Sequence, residues 1–179
     1  SHNPKEYNGL KISRKGALPV GSDSGLKTLE AMITGELPPL AAVPGKINEV
    51  NFHDEYIEFY REQLPCFDGL KVAVDCSNGM SSLFVRPLFG NAVDCIYEEI
   101  DGTFPNHAPN PLEPEATLAL REKVKQGGYD IGVIFDGDAD RVMFVDENSR
   151  FISPDLMIAV LGHYFFEERG EKGYVHQDI

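Results

Sequence analysis

The 179-residue chain is 42% hydrophobic, long enough for one domain with a full core or for parts of two. A net charge of −13 and a pI near 4.7 exclude the basic footprint of a nucleic-acid binder, and they require any anionic ligand to find cations gathered locally or a metal. No apolar run reaches bilayer-spanning length and no secretory leader is expected. The cysteines (Cys66, Cys76, Cys95) are odd in number and lack metal-type spacing, which points to reduced, mostly core thiols in a cytosol-like, cytoplasmic compartment.

In chain order, a loop rich in Asn, Pro and Gly leads to a short strand at Gly9–Ser13, and residues 16–25 read as turn material. Leu26, Leu29, Met32 and Ile33 recur at helical spacing, and the Pro/Gly-rich stretch 35–46 reads as a linker. A helix is predicted over Asp54–Leu64, a buried strand over Leu70–Cys76, a helix interrupted by Pro87, and a strand over Val93–Asp101. A proline-rich loop follows, then an amphipathic helix over Glu115–Gly128 that ends on two glycines. Apolar strands flank an acidic loop at 130–145, with a turn at 146–150. Ser153-Pro154-Asp155 supplies a hydroxyl cap, an early proline and an early acid for a helix running to about Arg169, and a last strand is predicted from Gly173. Strands alternating with helices imply an α/β domain with a mostly parallel sheet covered on both faces. The strand after the acidic loop returns too soon to cross over, so it is expected to be antiparallel or next to the edge.

The acidic loop carries the strongest chemical signal. In DIGVIFDGDADRVMFV, Asp136, Asp138 and Asp140 are spaced two apart, separated by Gly137 and Ala139 and followed by Arg141. Carboxylates held this close repel unless a cation sits among them, and oxygen-only ligands suit Mg²⁺ or Ca²⁺ rather than zinc. A plain acidic hairpin turn and an EF-hand are the alternatives. The EF-hand reading meets Arg141 where a turning glycine is normal, and its flanks read as strands rather than helices. The reading favoured here is a catalytic Mg²⁺ site at the carboxyl end of a parallel strand.

Ser1-His2-Asn3-Pro4 is a second candidate. His2 is counted with this loop, but adjacent residues in an extended segment point apart, so it is badly placed as a base for Ser1. Ser1 acting through its own amine, as in N-terminal hydrolases, would require a processed terminus. A rigid exposed loop presenting a side chain is the simpler reading, with Lys11 able to bring positive charge nearby. His107, within the proline-rich loop, reads as part of a stiff structural segment rather than a metal or base site. His53, His163 and His176 carry no partner pattern.

In this order, SHNP-x-x-x-NG-x-K, VDCSNG, DGTFPNHAPNP and FDGDADRV resemble the α-D-phosphohexomutases, a family that includes the phosphomannomutases, phosphoglucomutases and phosphoglucosamine mutases. The resemblance covers essentially the whole chain. It implies a four-domain protein in which Ser1 is the phosphorylated serine and Asp136, Asp138 and Asp140 bind Mg²⁺. It further implies that Arg141 shapes the phosphoserine environment and Lys11 handles a proton. The implied substrate is a hexose phosphate, converted through a bisphosphosugar.

On that map residues 1–48 are the end of domain 1 with a linker, 49–150 a complete domain 2, and 151–179 the start of domain 3. The fold expectation is thus a three-layer α/β domain 2 flanked by partial domains. Neither end reads as a natural terminus, so the chain is expected to be an internal piece that binds Mg²⁺ but needs the remaining domains of its parent for turnover. Two rival functions stand beside this one. A haloacid-dehalogenase-type phosphatase would use Asp136 as nucleophile with Ser153 and Lys172 as weak phosphate-loop candidates, and a Mg²⁺- or sugar-phosphate-binding module would have no turnover. No membrane partner is expected.

Overall fold

In the computed structural model, which describes residues 3, 5–35 and 37–176, the chain divides into two units. One is Tyr7–Phe52; the other joins the described residues before Tyr7 to those from His53 onward.

In the first unit, β1 (Ser13–Arg14) pairs antiparallel with β2 (Leu18–Pro19). The predicted strand at Gly9–Ser13 therefore sits later than expected, and part of the predicted turn is a strand. The cause is Gly16 and Ala17, which both take positive φ (77° and 57°) and reverse the chain at once. Helix α1 (Leu26–Thr34) lies where the apolar spacing placed it. The described part of 35–52 has no regular structure, in keeping with its prolines and glycines.

In the second unit, α2 (His53–Arg61) precedes a five-stranded sheet of order β4-β3-β5-β6-β7. Its strands are β3 (Val72–Asp75), β4 (Val93–Ile96), β5 (Ile131–Phe135), β6 (Val142–Asp146) and β7 (Phe151–Ile152). Strands β4 and β5 run parallel to β3. Strand β6 returns antiparallel to β5 and lies next to the edge strand β7, so both expectations for it hold.

Alternation along β3 and β5 sorts the core into two layers. On one face Ala73, Ile134, Met143 and Val145 pack with Leu120 and Val124 of α4 (Leu118–Gly127). On the other, Val72, Val74 and Cys76 pack with Val85 and Phe89 of α3 (Val85–Phe89). The sheet is thus covered on both sides, which gives three layers. Gly132 lets α4 lie close, since a Cβ there would stand 2.9 Å from Val124 and 3.1 Å from Leu120. Gly128 closes α4 in the left-handed conformation (φ 60°) and caps the Val124 carbonyl, as the paired glycines predicted.

Other boundaries differ from the sequence reading. The helix around Pro87 breaks earlier, at Phe84, between a 3₁₀ turn (Met80–Leu83) and α3. Pro87 sits within the first turn of α3, where its missing N–H costs nothing. Strand β4 stops at Ile96 because Tyr97 takes φ 51°. Helix α5 (Pro154–His163) starts at the Ser153 cap, whose hydroxyl accepts from Leu156 N–H at 3.3 Å, and continues as a π-turn over Tyr164–Glu168. The strand predicted from Gly173 is absent among the described residues, and 177–179 lie outside them. No described helix is long and apolar enough to cross a membrane.

Candidate functional site

The parallel strands β3 and β5 end side by side, and the loops that leave them meet. The loop after β5 closes onto β6, with Phe135 paired to Val142 and residues 136–141 forming the tip of an antiparallel hairpin. Its conformation is held from within. Asp136 N–H donates to the Arg141 carbonyl at 3.2 Å, Arg141 N–H donates to Asp136 Oδ1 at 3.1 Å, and Ala139 N–H donates to the Asp136 carbonyl at 3.2 Å. Ala139 takes φ 61°, so the backbone doubles back between Asp138 and Asp140.

One carboxylate oxygen from each of Asp136, Asp138 and Asp140 lies within 4.8 Å of the others. Asp136 is fully buried, whereas Asp138 and Asp140 are exposed. Arg141 Nε stands 3.4 Å from Asp136 Oδ2 and 3.8 Å from Asp140 Oδ1. The guanidinium offsets part of the negative charge and leaves a strongly anionic mouth. Three carboxylates that each offer an oxygen on one short turn would suit a small, hard, divalent cation. The flanks are strands, which removes the EF-hand, and the burial of Asp136 removes a merely solvated turn.

The loop after β3 braces this turn. Met80 N–H donates to the Gly137 carbonyl at 3.0 Å, and Ser77 Oγ donates to the Phe135 carbonyl at 2.6 Å. Gly79 touches Gly137, so a Cβ on it would meet that carbonyl oxygen at 2.6 Å.

A buried ion pair sits at the same edge. Asp75, the last residue of β3, is fully buried and accepts from Ser77 N–H at 2.8 Å. His107 Nε2 reaches its carboxylate at 3.2 Å, and His107 Nδ1 reaches the Ala108 carbonyl at 2.8 Å. Both partners are acceptors, so the arrangement favours the imidazolium form, in which both ring nitrogens donate. Burial alone would lower its pKa. The bonds to Asp75 and to Ala108 outweigh burial and hold it above the ordinary histidine value. This pair was not legible in the sequence, because Asp75 ends a strand and His107 lies on a loop 32 residues further along. The only hint was an acid closing an otherwise apolar strand in VDC.

Of the other sequence candidates, Ser1 and His2 lie outside the described residues. Lys11 belongs to the Tyr7–Phe52 unit, exposed and just ahead of β1. The His53 ring nitrogens lie within hydrogen-bond distance of Asp54 Oδ1 (3.0 Å) and the Leu83 carbonyl (3.1 Å), and the ring stacks on Phe84, a packing role. Ser153, which a phosphatase would need at a phosphate, is engaged as the cap of α5. Cys76 is buried among apolar side chains and beside Cys95, which pushes its thiol up to about 12, and the three cysteines are free.

Residues 54–149 match the family model described as phosphoglucomutase/phosphomannomutase, alpha/beta/alpha domain II. A phosphomannomutase from Salmonella montevideo is 33% identical, the match covering 98% of this chain and 41% of that protein. A phosphomannomutase/phosphoglucomutase from Pseudomonas putida is 36% identical over 88% of this chain and 34% of that protein. The crystal structure of a phosphoglucomutase/phosphomannomutase family protein from Burkholderia thailandensis superposes with a TM-score of 0.77 at 27% identity, over 94% of this chain and 36% of that one. The chain spans about two-fifths of the curated relatives it matches.

Proposed function

Because the chain belongs to the phosphoglucomutase/phosphomannomutase family, we propose that its parent protein is a phosphohexomutase, an isomerase of carbohydrate metabolism that interconverts hexose 1-phosphate and hexose 6-phosphate. The observation that carries this reading is the convergence of Asp136, Asp138 and Asp140 beside Arg141, at the hairpin tip of a segment matching the family's second domain. In this reading the three aspartates hold Mg²⁺, and Ser1, phosphorylated in the resting state, supplies the transferring group. His2 belongs to the serine loop. The reading extends the domain map to 1–48, 49–150 and 151–179, and the family match over 54–149 supports the middle boundary pair.

When bound, Mg²⁺ supplies neutralisation of phosphoryl charge, which a loose phosphoryl-transfer transition state demands. The chain's own residues do the rest. Arg141 adds directional donors at the mouth of the acidic loop, and its contacts with Asp136 and Asp140 fix its orientation. Lys11, where the assembled site holds it in its neutral amine form, accepts the proton of the attacking sugar hydroxyl as the O–P bond to the sugar forms and the bond to Ser1 breaks. The product of the first transfer is a bisphosphosugar, which returns its other phosphate to Ser1. The free thiols suit a cytoplasmic protein. The remaining domains of the parent supply sugar recognition, so the 179-residue span binds Mg²⁺ without turning over.

Trapping the covalent phosphate in the parent protein tests this. Radiolabelled hexose bisphosphate should label Ser1, and Ser1→Ala should abolish both labelling and mutase turnover. An aspartyl-phosphate on Asp136 would instead establish a haloacid-dehalogenase-type phosphatase. Unchanged properties in Ser1→Ala, with no turnover in either protein, would leave a binding module.

A further inference from the structure

The geometry points to the Asp75–His107 ion pair and the Asn78–Asn106 hydrogen bond as a lock that fixes the proline-rich 101–113 loop between the metal loop and the segment following Ser1, so that His107 and Asn106 are positioning residues for phosphoryl transfer. The inference rests on the proposed reading and assigns a role to residues that reading leaves idle.

An unbroken set of contacts carries it. The metal loop is tied to the turn after β3 through Gly137 with Met80 and through Phe135 with Ser77. Ser77 and Asn78 both hold positive φ (52°), uncommon outside glycine, although asparagine enters this region more readily than most. The bonds of Asn78 hold the turn in place. Its N–H donates to the Tyr97 carbonyl at 2.8 Å, its Nδ2 to the Glu99 carbonyl at 2.8 Å, and its Oδ1 accepts from Asn106 Nδ2 at 2.8 Å. One residue further along, His107 inserts its ring beside Asp75 and edge-on to Tyr97, with ring centres 5.5 Å apart. The loop is thereby fastened at two successive residues to the strand end that braces the metal loop. Buried Pro109 and Pro111 stiffen its return.

The opposite side of the same loop faces the start of the chain. Phe104, Pro109 and Asn110 line a cleft of about 500 Å³ together with Asn3, Lys5 and Glu6. Those last three residues belong to the sequence segment that begins two positions after Ser1. The loop therefore touches the brace of the metal loop on one side and this segment on the other, and an ion pair buried beneath it is a costly device unless rigidity is needed there. A lock of this kind acts on the approach of the serine segment, whereas the metal loop keeps its own internal bonds from Asp136 to Arg141.

The test uses the parent protein with His107→Phe and, separately, Asn106→Ala, which leaves the ion pair intact and covers the case in which the first variant fails to fold. Hydrogen exchange at Asn3, Lys5 and Glu6 and across 101–108 should quicken about tenfold or more, with Ile131–Phe135 unchanged. Turnover (kcat) should drop about tenfold, while KM for the hexose phosphate and the affinity for Mn²⁺ titrated as a Mg²⁺ probe stay within about twofold. Unchanged exchange at Asn3, Lys5 and Glu6 would overturn the lock. So would a fall in Mn²⁺ affinity matching the fall in kcat, which would mean that the pair supports the metal loop alone. Absence of turnover in the unsubstituted parent would instead defeat the mutase reading, and the exchange measurement would still decide the lock.

Discussion

At the scale of single residues, the site balances repulsion against two kinds of compensation. Asp136 is buried against Arg141 and the loop's backbone, Asp140 also stands near Arg141, and Asp138 and Asp140 are both exposed within the same acidic cluster. Replacing Asp138 with Asn should therefore stabilise the metal-free protein by about 0.5 kcal/mol while weakening Mg²⁺ binding roughly tenfold or more. Urea unfolding without and with Mg²⁺ reads both effects, which should have opposite signs. Asp75 and His107 compensate each other instead. The folded pKa of His107 is raised, so the stability it contributes is fully present below about pH 6.5 and is lost as pH climbs through the raised value. Unfolding midpoints across pH 5.5–9 should show that decline in the parent sequence and a flatter profile in His107→Gln. Asp75→Ala, which strands a buried imidazolium, should cost about 3 kcal/mol at neutral pH.

At the scale of elements, periodicity and caps made most of the order readable. The alternation in LKVAVDC and DIGVIF, the paired glycines after α4 and the Ser-Pro-Asp start of α5 each named their element, because each signal is local. Two of the misplacements trace to positive φ. The strand end at Ile96 is set by Tyr97, which no propensity marks as a turn former, and the one at Arg14 by Gly16 together with Ala17. The two-residue β7 exists only because β6 offers it a partner. The acidic triad was legible for the same reason as the helices, being local in sequence, whereas the Asp75–His107 pair joins a strand end to a distant loop and was not. Contacts between elements are also where substitutions should bite hardest. Gly132→Val would press on Leu120 and Val124, forcing α4 off the sheet, and should cost about 1–3 kcal/mol or more in a thermal melt. Gly79→Ala, pressing on the Gly137 carbonyl, a backbone atom with no rotamer to yield, should lower both the melting temperature and the Mg²⁺ affinity, as a thermal melt and calorimetric titration would show.

At the scale of the whole molecule, a net charge of −13 would be a poor setting for a phosphorylated substrate without a resident cation. Mg²⁺ at a hundredfold excess over its dissociation constant should stabilise the folded state by about 2.7 kcal/mol. That gain should be confined to the unit that carries the aspartates. Amides of 130–146 should exchange more slowly with Mg²⁺ present, and those of 13–34 should not change.

The ladder between β5 and β6 has a bearing on how such a loop can vary. Phe135 opposite Val142 is the last rung, and the core positions of Met143 and Val145 forbid the strands from slipping past each other. Any residue added between those rungs would have to be absorbed by the tip. A variant with one insertion after Gly137 would keep every aspartate in its sequence and scatter them in space. Indel tolerance, more than point substitution, is therefore the sternest probe of how this protein measures out its charges.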